Sequence, residues 1–253
     1  VMHSVIISKS STVSLNLNGQ LFSFGPEHPN YQAIIKAIND ENELEMEKLT
    51  RKDEICAATG GKVSYTGGVV RWNGSKIDNA VSRRIIELDS QGHSVTFILK
   101  FLEKCYQNPD PTVVDRLYLF LENSCIHIDP NGDIIGYKKV QSNNYDYYSG
   151  KFLYAIGKTV KMDRSLCDSN SFNTCAPSLH LGSLEYAKGF YNGEGKIIIG
   201  KCNPKNVVGV PEEGAYGKLR PCEIAVLADF LDAEAVSNIV YHDFSAKRDS
   251  RGR

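Results

Sequence analysis

The stretch IHIDPNGDIIGYKKV, residues 126–140, is where the rhythm of the chain changes. Before it, apolar residues recur at helical spacing. From Ile126 they alternate: Ile126 and Ile128 lead into Asp129-Pro130-Asn131-Gly132, and Ile134, Ile135 and Tyr137 lead out again. Alternation on both sides of a Pro/Asn/Gly turn predicts a β-hairpin. An α+β fold follows, with helices before this hairpin and a strand-rich, mostly antiparallel half after it.

Immediately upstream, the spacing predicts a layer of three helices. Residues 79–90 carry Val81, Ile85, Ile86 and Leu88; residues 96–107 carry Phe97, Ile98, Phe101, Leu102 and Cys105; residues 112–123 carry Val113, Val114, Leu117, Phe120 and Leu121. Asn108-Pro109-Asp110-Pro111 ends one helix and starts the next. Their polar residues include no cluster of carboxylates or histidines, so the layer reads as scaffold.

The N-terminus has its own pattern. Val13, Leu15 and Leu17 alternate up to Asn18-Gly19, and Leu21, Phe22 and Phe24 return, a hairpin within residues 4–24. After Pro26 and Pro29, Tyr31, Ile34, Ile35 and Ile38 mark a helix, and Leu44, Met46 and Leu49 a second, short one rich in glutamate. KVSY and VVRW around Thr66-Gly67-Gly68 predict another hairpin. These signals give a hairpin-helix module over residues 1–55, a soft boundary near Cys56 to Gly61, a main domain over 62–241 and a basic, disordered tail over 242–253. Downstream of the central hairpin, strands are expected at 157–162, 196–202, 207–210 and 219–227, with short helices at 184–190 and 233–240.

Composition limits the function classes. The chain has 253 residues, 42% of them hydrophobic, and a formal net charge of −1, which argues against a surface built throughout for nucleic acid or anionic membrane. The basic tail Lys247, Arg248, Arg251 and Arg253 reads as a solubilising end. No apolar run approaches the roughly 20 residues that span a bilayer, and VMHSVIISKSS is too short and too weakly apolar for a secretory signal. Seven widely spaced cysteines without a CxxC pair read as reduced thiols. A cytosolic protein is expected.

Chemistry-bearing side chains concentrate in residues 162–190, MDRSLCDSNSFNTCAPSLHLGSLEYAKGF. His180, between Leu179 and Leu181, points opposite to the leucines if the segment is a strand, as a general base, a ligand or a backbone-bonded histidine. Cys175 and His180 could form a thiolate and its base with Asp163 or Asp168 orienting the ring, yet five positions apart they meet only if Ala176-Pro177-Ser178 turns the chain. A zinc set of Cys167, Cys175, His180 and Cys202 has gaps of 7, 4 and 21 residues that match no structural pattern, so no metal and no cofactor is expected. Arg164 and Arg220, brought near this stretch, offer guanidinium groups for a phosphate or carboxylate. Tyr145, Tyr147 and Tyr148 suit stacking or contact with a partner protein, and equally the capping of a hairpin edge.

The order FLEKCYQNP, LYLFLEN, IxxxGxIIGYKKV, YDxxSGKF, VKMDR, TCxxxLHLGSxxY and KCNPKNVVGVP resembles the rIIB-type proteins of tailed bacteriophages. The resemblance covers residues 70–227, and its most specific parts are Gly136 to Val140, Thr174 to His180 and Asn203 to Pro211. It implies a phage-encoded early protein without an agreed enzymatic activity. Such a protein works in the host cytoplasm, peripheral at most to the inner face of the membrane. It implies a role in counteracting prophage or host exclusion and in lysis timing. The implied partners are a rIIA-type phage protein that resembles GHKL ATPases, a host defence protein, or a second copy of the chain. The alternative is a protein binding or processing a nucleotide or small molecule through Arg164, Cys175, His180 and Arg220. This chain departs from the family pattern in opening with a hairpin where a helix-turn-helix-like segment is expected, which removes any reason to carry over DNA binding. Ser178 also stands where glycine is common, and Asp168 alone remains of an acidic cluster.

Overall fold

The computed structural model of the chain describes residues 3–7, 11–17, 20–26, 30–58, 62–66, 69–91, 93–124, 126–191, 193–212 and 217–243. The turn residues Asn18, Gly19, Gly67 and Gly68, the boundary glycines Gly60 and Gly61, Cys125 and the tail cations lie outside these residues. The chain divides into two compact units, Val1–Ile77 and Asp78–Arg253. The fold is α+β.

The first unit opens with β1 (His3–Ile7), β2 (Val13–Leu17) and β3 (Gln20–Phe24), an antiparallel sheet in that order. A third strand thus joins the expected hairpin, with Val5 opposite Leu15 and Leu15 opposite Phe22. Helices α1 (Tyr31–Asn39) and α2 (Glu43–Ala58) follow. The period-2 face of the sheet and the 3.6-period face of the helices meet in one core, where Leu15, Ile34 and Met46 are fully buried among Leu17, Phe24 and Leu49. Helix α2 is longer than its apolar spacing implies. Three short strands, β4 (Val63–Thr66), β5 (Val69–Trp72) and β6 (Ser75–Lys76), complete the unit.

The second unit begins with the three helices, α3 (Ala80–Ser90), α4 (Thr96–Tyr106) and α5 (Pro111–Asn123). Asn79 and Ser82 form a reciprocal capping box on α3, while the Asp110 carboxylate takes the Thr112 N–H and Pro111 occupies the first turn of α5. Helix α4 buries Phe97, Ile98, Leu99, Phe101, Leu102 and Cys105, because it is packed between its two neighbours and the start of the sheet.

The sheet starts with β7 (His127–Ile128) and β8 (Ile134–Val140), joined by the expected turn, with Ile128 opposite Ile134. Asp129 closes that turn by accepting the Asn131 and Asp133 N–H groups. Gly132 adopts φ +81°, and a Cβ there would lie 2.6 Å from the Lys100 carbonyl carbon and closer still to the Phe101 nitrogen, so the turn seats directly on the backbone of α4.

The remaining elements are β9 (Thr159–Lys161), β10 (Leu181–Gly182), α6 (Leu184–Gly189), β11 (Lys196–Cys202), β12 (Val207–Gly209), β13 (Lys218–Pro221), β14 (Glu223–Asp229), α7 (Ala233–Ser237) and β15 (His242–Asp243). The strand order is β12-β13-β10-β8-β11-β14-β9, with β15 on β7 and β7 on β8, and every pair antiparallel. The stretch expected as one strand over 219–227 is broken at Cys222 into β13 and β14, which have three strands between them. In a flat sheet four spacings would set them about 19 Å apart, a gap that one residue cannot bridge. The sheet is therefore strongly curled.

Candidate functional site

Strand β8 runs through the middle of the curled sheet and carries Gly136, Tyr137, Lys138 and Lys139. Gly136 lies opposite Gly200 of β11, and the absence of two side chains leaves a depression in which Leu181 lodges. Leu181 is consequently 1% exposed, and it fixes the residues on either side. Next to it Gly182 allows another close approach: a Cβ there would lie 2.6 Å from the Gly217 carbonyl and 2.8 Å from Tyr186 Cδ1. This approach holds α6, with Tyr186 and Phe190, against the sheet.

A cleft results. Its floor is formed by Lys138, His180 and Lys218, and its walls by Tyr147, Tyr148, Tyr186 and Phe190, with Thr174 and Cys175 on one side. The cavity is about 70 Å³. That is room for several water-sized groups, not for a nucleotide. A shallower groove of about 350 Å³, lined by Gln141, Ser142, Asn143, Tyr191, Gly193 and Glu194, shares Tyr147 with it. Tyr147 is held by Tyr191, ring centroids 4.7 Å apart, and by a hydrogen bond from its hydroxyl to the Glu194 carbonyl.

The floor is electropositive. Lys138 Nζ stands over the buried Tyr154 ring at 4.9 Å, and among the described residues no carboxylate lies within ion-pair distance of it. Burial pushes its pKa down to about 8; the Asp146 charge opposes that shift and Lys218 adds to it. Lys218 Nζ donates to the Thr174 carbonyl at 2.5 Å and lies 5.5 Å from the Tyr186 ring centre. His180 Nε2 is buried without a hydrogen-bond partner among the described residues. Burial, then the charges of Lys138, Lys218 and Arg220, drive the His180 pKa down to about 3 against Asp146. At neutral pH the ring is uncharged. A base that weak does not deprotonate a thiol near pH 7.

Among the described residues Asp146 is the carboxylate that acts on both Lys138 and His180. Its oxygens are already engaged by the N–H groups of Ser149, Lys151 and Phe152 and by the Ser149 hydroxyl. Burial raises its pKa, but those donors and the Lys138 charge outweigh it and hold the group below its ordinary value. Asp146 shapes the tyrosine turn and offsets the floor's positive charge only in part, since both Lys138 and His180 remain shifted down.

The other sequence-predicted residues serve elsewhere. Asp163 is exposed and caps the short 3₁₀ turn Arg164–Leu166 through the Ser165 N–H. Arg164 donates to the carbonyls of Lys205 and Val207 and to Asn108 Oδ1, tying the joint between α4 and α5 to the approach to β12. Arg220 is fully buried and donates to the carbonyls of Asp168, Asn170 and Asn173, so the loop over 168–177 is built around its guanidinium. Both forks are occupied by backbone. Cys175 is exposed at the cleft and Cys167 and Cys202 are buried. Among the described residues no three His, Cys, Asp or Glu side chains are placed to hold a metal ion. Tyr145 contributes a backbone bridge to Leu153 and does not line the cleft, whereas Tyr147 and Tyr148 do. Sequence reasoning missed Lys138 and Lys218. For Lys138 a signal exists: it shares its strand face with Ile134, Gly136 and Val140, all buried, so a lysine breaks the inward row.

No helix among the described residues is long and apolar enough to cross a membrane. Comparison with known proteins finds a family model, described as Bacteriophage T4 protein rIIB, that matches residues 4–241. The matched span takes in the N-terminal sheet as well as the motif-bearing residues. Protein rIIB of Enterobacteria phage T4 is 28% identical over 219 residues, which cover 86% of this chain and 70% of that protein. No solved structure matches.

Proposed function

The chain belongs to the bacteriophage T4 rIIB family, and from that premise we propose that it acts by binding a protein partner, not by catalysis, through the aromatic and cationic cleft and the loops over 141–195. The partner is a rIIA-type phage protein or a host defence protein. The setting is the infected cell's cytoplasm, at most peripheral to the inner face of the membrane, and the outcomes served are resistance to exclusion and control of lysis timing. The observation that carries this reading is the cleft itself, in which Tyr148 is 73% exposed and shares the lining with Lys138 and Lys218. Exposed aromatic side chains around a charged centre are what protein hot spots use.

His180 supports binding over chemistry, since its depressed pKa leaves Cys175 without a competent base. A small anionic ligand is the second reading, favoured by the convergence of Lys138, His180 and Lys218. The cavity volume restricts that ligand to an anionic tip. Affinity purification of the tagged chain from infected cells tests the first reading. Wild type is expected to retain a stoichiometric phage or host protein that the double variant Tyr147→Ala, Tyr148→Ala loses. A wild-type chain that elutes without any infected-cell protein overturns it.

A further inference from the structure

The floor of the cleft is rich in donors: Lys218 Nζ is engaged by the Thr174 carbonyl, while Lys138 Nζ has no ion-pair partner and His180 Nε2 no hydrogen-bond partner among the described residues. Lys138 is half-buried, lies against an aromatic ring and has no counter-ion within ion-pair reach among the described residues. An ammonium removed from water is ordinarily paired. The buried His180 Nε2 lacks a partner in the same cavity, where a neutral imidazole can present an N–H. Lys218 enters from β13, and its cationic field reaches both Lys138 and His180. Three elements therefore aim donors at one small space, and the missing group is an anion supplied from outside.

Carboxylate fits better than phosphate. The guanidinium forks that would grip a phosphate, Arg164 and Arg220, are both committed to backbone carbonyls. The space admits the tip of an acidic side chain. Beyond Tyr147 the groove is lined by Gln141, Ser142 and Asn143. Gln141 Nε2 and Asn143 Oδ1 are engaged by the turn, and the Gln141 side-chain carbonyl, the Ser142 hydroxyl and the Asn143 side-chain N–H groups suit the main chain of an extended segment. Glu194 on that groove repels a second acidic residue.

We infer that Lys138, His180 and Lys218 form a carboxylate subsite that receives one acidic side chain of a partner's extended segment, with the segment's main chain lying along the groove at Gln141 to Asn143. This rests on the protein-binding reading above and names the chemistry that the partner must present: a single glutamate or aspartate flanked by uncharged residues.

The test is an NMR titration of the full chain with a blocked pentapeptide carrying one central glutamate between serines and glycines. The readouts are the His180 ring and Lys138 side-chain resonances. A saturable shift is expected, with affinity lowered about tenfold in Lys138→Met and with the glutamine version of the peptide. The subsite is overturned if the glutamine peptide binds equally well, if the glutamate peptide gives no saturable shift, or if inorganic phosphate alone saturates the site. Purification from infected cells separates the two levels. A partner captured equally by wild type and Lys138→Met leaves protein binding standing and removes the subsite. Glutamate-peptide binding without any captured partner does the reverse.

Discussion

Arg220 Nη1 lies 3.1 Å from the carbonyl oxygen of Asp168, so a side chain rooted in β13, one strand in from the sheet edge, holds the loop over 168–177 by its backbone. The same guanidinium also serves Asn170 and Asn173 and is fully buried. Replacing Arg220 by methionine keeps much of the volume but leaves three carbonyls without their donor. We expect a loss of about 3–5 kcal/mol, in the range for breaking a buried charged network. Arg220→Lys should recover less than half, because an ammonium cannot span three acceptors held by a planar fork. Urea midpoints of the full chain decide the matter, and a wild-type midpoint for Arg220→Met would count against the assignment.

Two glycines give an ordered pair of costs. At Gly132 a Cβ meets the immobile backbone of Phe101 and Lys100 and the residue must also hold φ +81°, whereas at Gly136 it meets Leu181 Cγ at 2.8 Å, a side chain that can shift. Gly136→Ala should cost about 1–3 kcal/mol from overpacking, and Gly132→Ala should cost more. Shortening Leu181 to alanine removes that Cγ, so the Gly136→Ala cost should be smaller in the Leu181→Ala background and the Gly132→Ala cost unchanged. A double-mutant cycle on thermal unfolding reads the coupling.

What the sequence made legible followed the range of the forces involved. The hairpin at Asp129 is local, since the aspartate captures N–H groups two and four residues ahead of it, and it appeared where alternation placed it. The isoleucine-rich strand Lys196–Cys202 likewise has its expected bounds. The N-terminal sheet gained β1, whose pairing with β2 spans the Ser/Thr-rich residues 8–12 and not a two-residue Asn-Gly type turn. Helix α2 outran its apolar repeat, since a glutamate-rich helix continues without one. The break at Cys222 had a local signal in Pro221, which ends β13, but only the curl of the whole sheet assigns the two halves to different neighbours. At the candidate site, Cys175, His180, Tyr147 and Tyr148 do share a cleft, but the lysines that set its electrostatics come from β8 and β13, distant in the chain.

His180 makes a pH prediction with a definite sign. Its folded pKa of about 3 lies below the ordinary histidine value, so between roughly pH 6.5 and pH 3 the unfolded chain binds a proton that the folded chain refuses. Its contribution is present above pH 6.5 and is lost as the pH falls through that window. Wild type should therefore lose stability relative to His180→Gln by about 1 kcal/mol per pH unit on acidification. Urea midpoints of the two proteins from pH 7 to pH 4 measure the difference, and parallel curves would show that His180 titrates normally.

Lys138 makes the opposite kind of prediction, in which removal of a charged residue leaves the fold intact or firmer. Its folded pKa of about 8 lies below the ordinary lysine value, so at pH 7 the fold carries the full cost of a desolvated ammonium. As the pH rises from about 8 towards 10.5 the folded chain sheds that proton before the unfolded chain does, and stability should rise. Lys138→Met keeps the aliphatic stem over Tyr154 while discarding the charge. The variant should be at least as stable as wild type at pH 7, by up to about 1 kcal/mol after the lost cation–π contact is counted. Its advantage should shrink as the pH approaches 10. A residue whose removal firms the fold is retained for something other than stability, and here that is the anion the cleft receives. If Lys138→Met instead unfolds at markedly lower urea, the ammonium has an internal partner and the cleft floor is already neutralised.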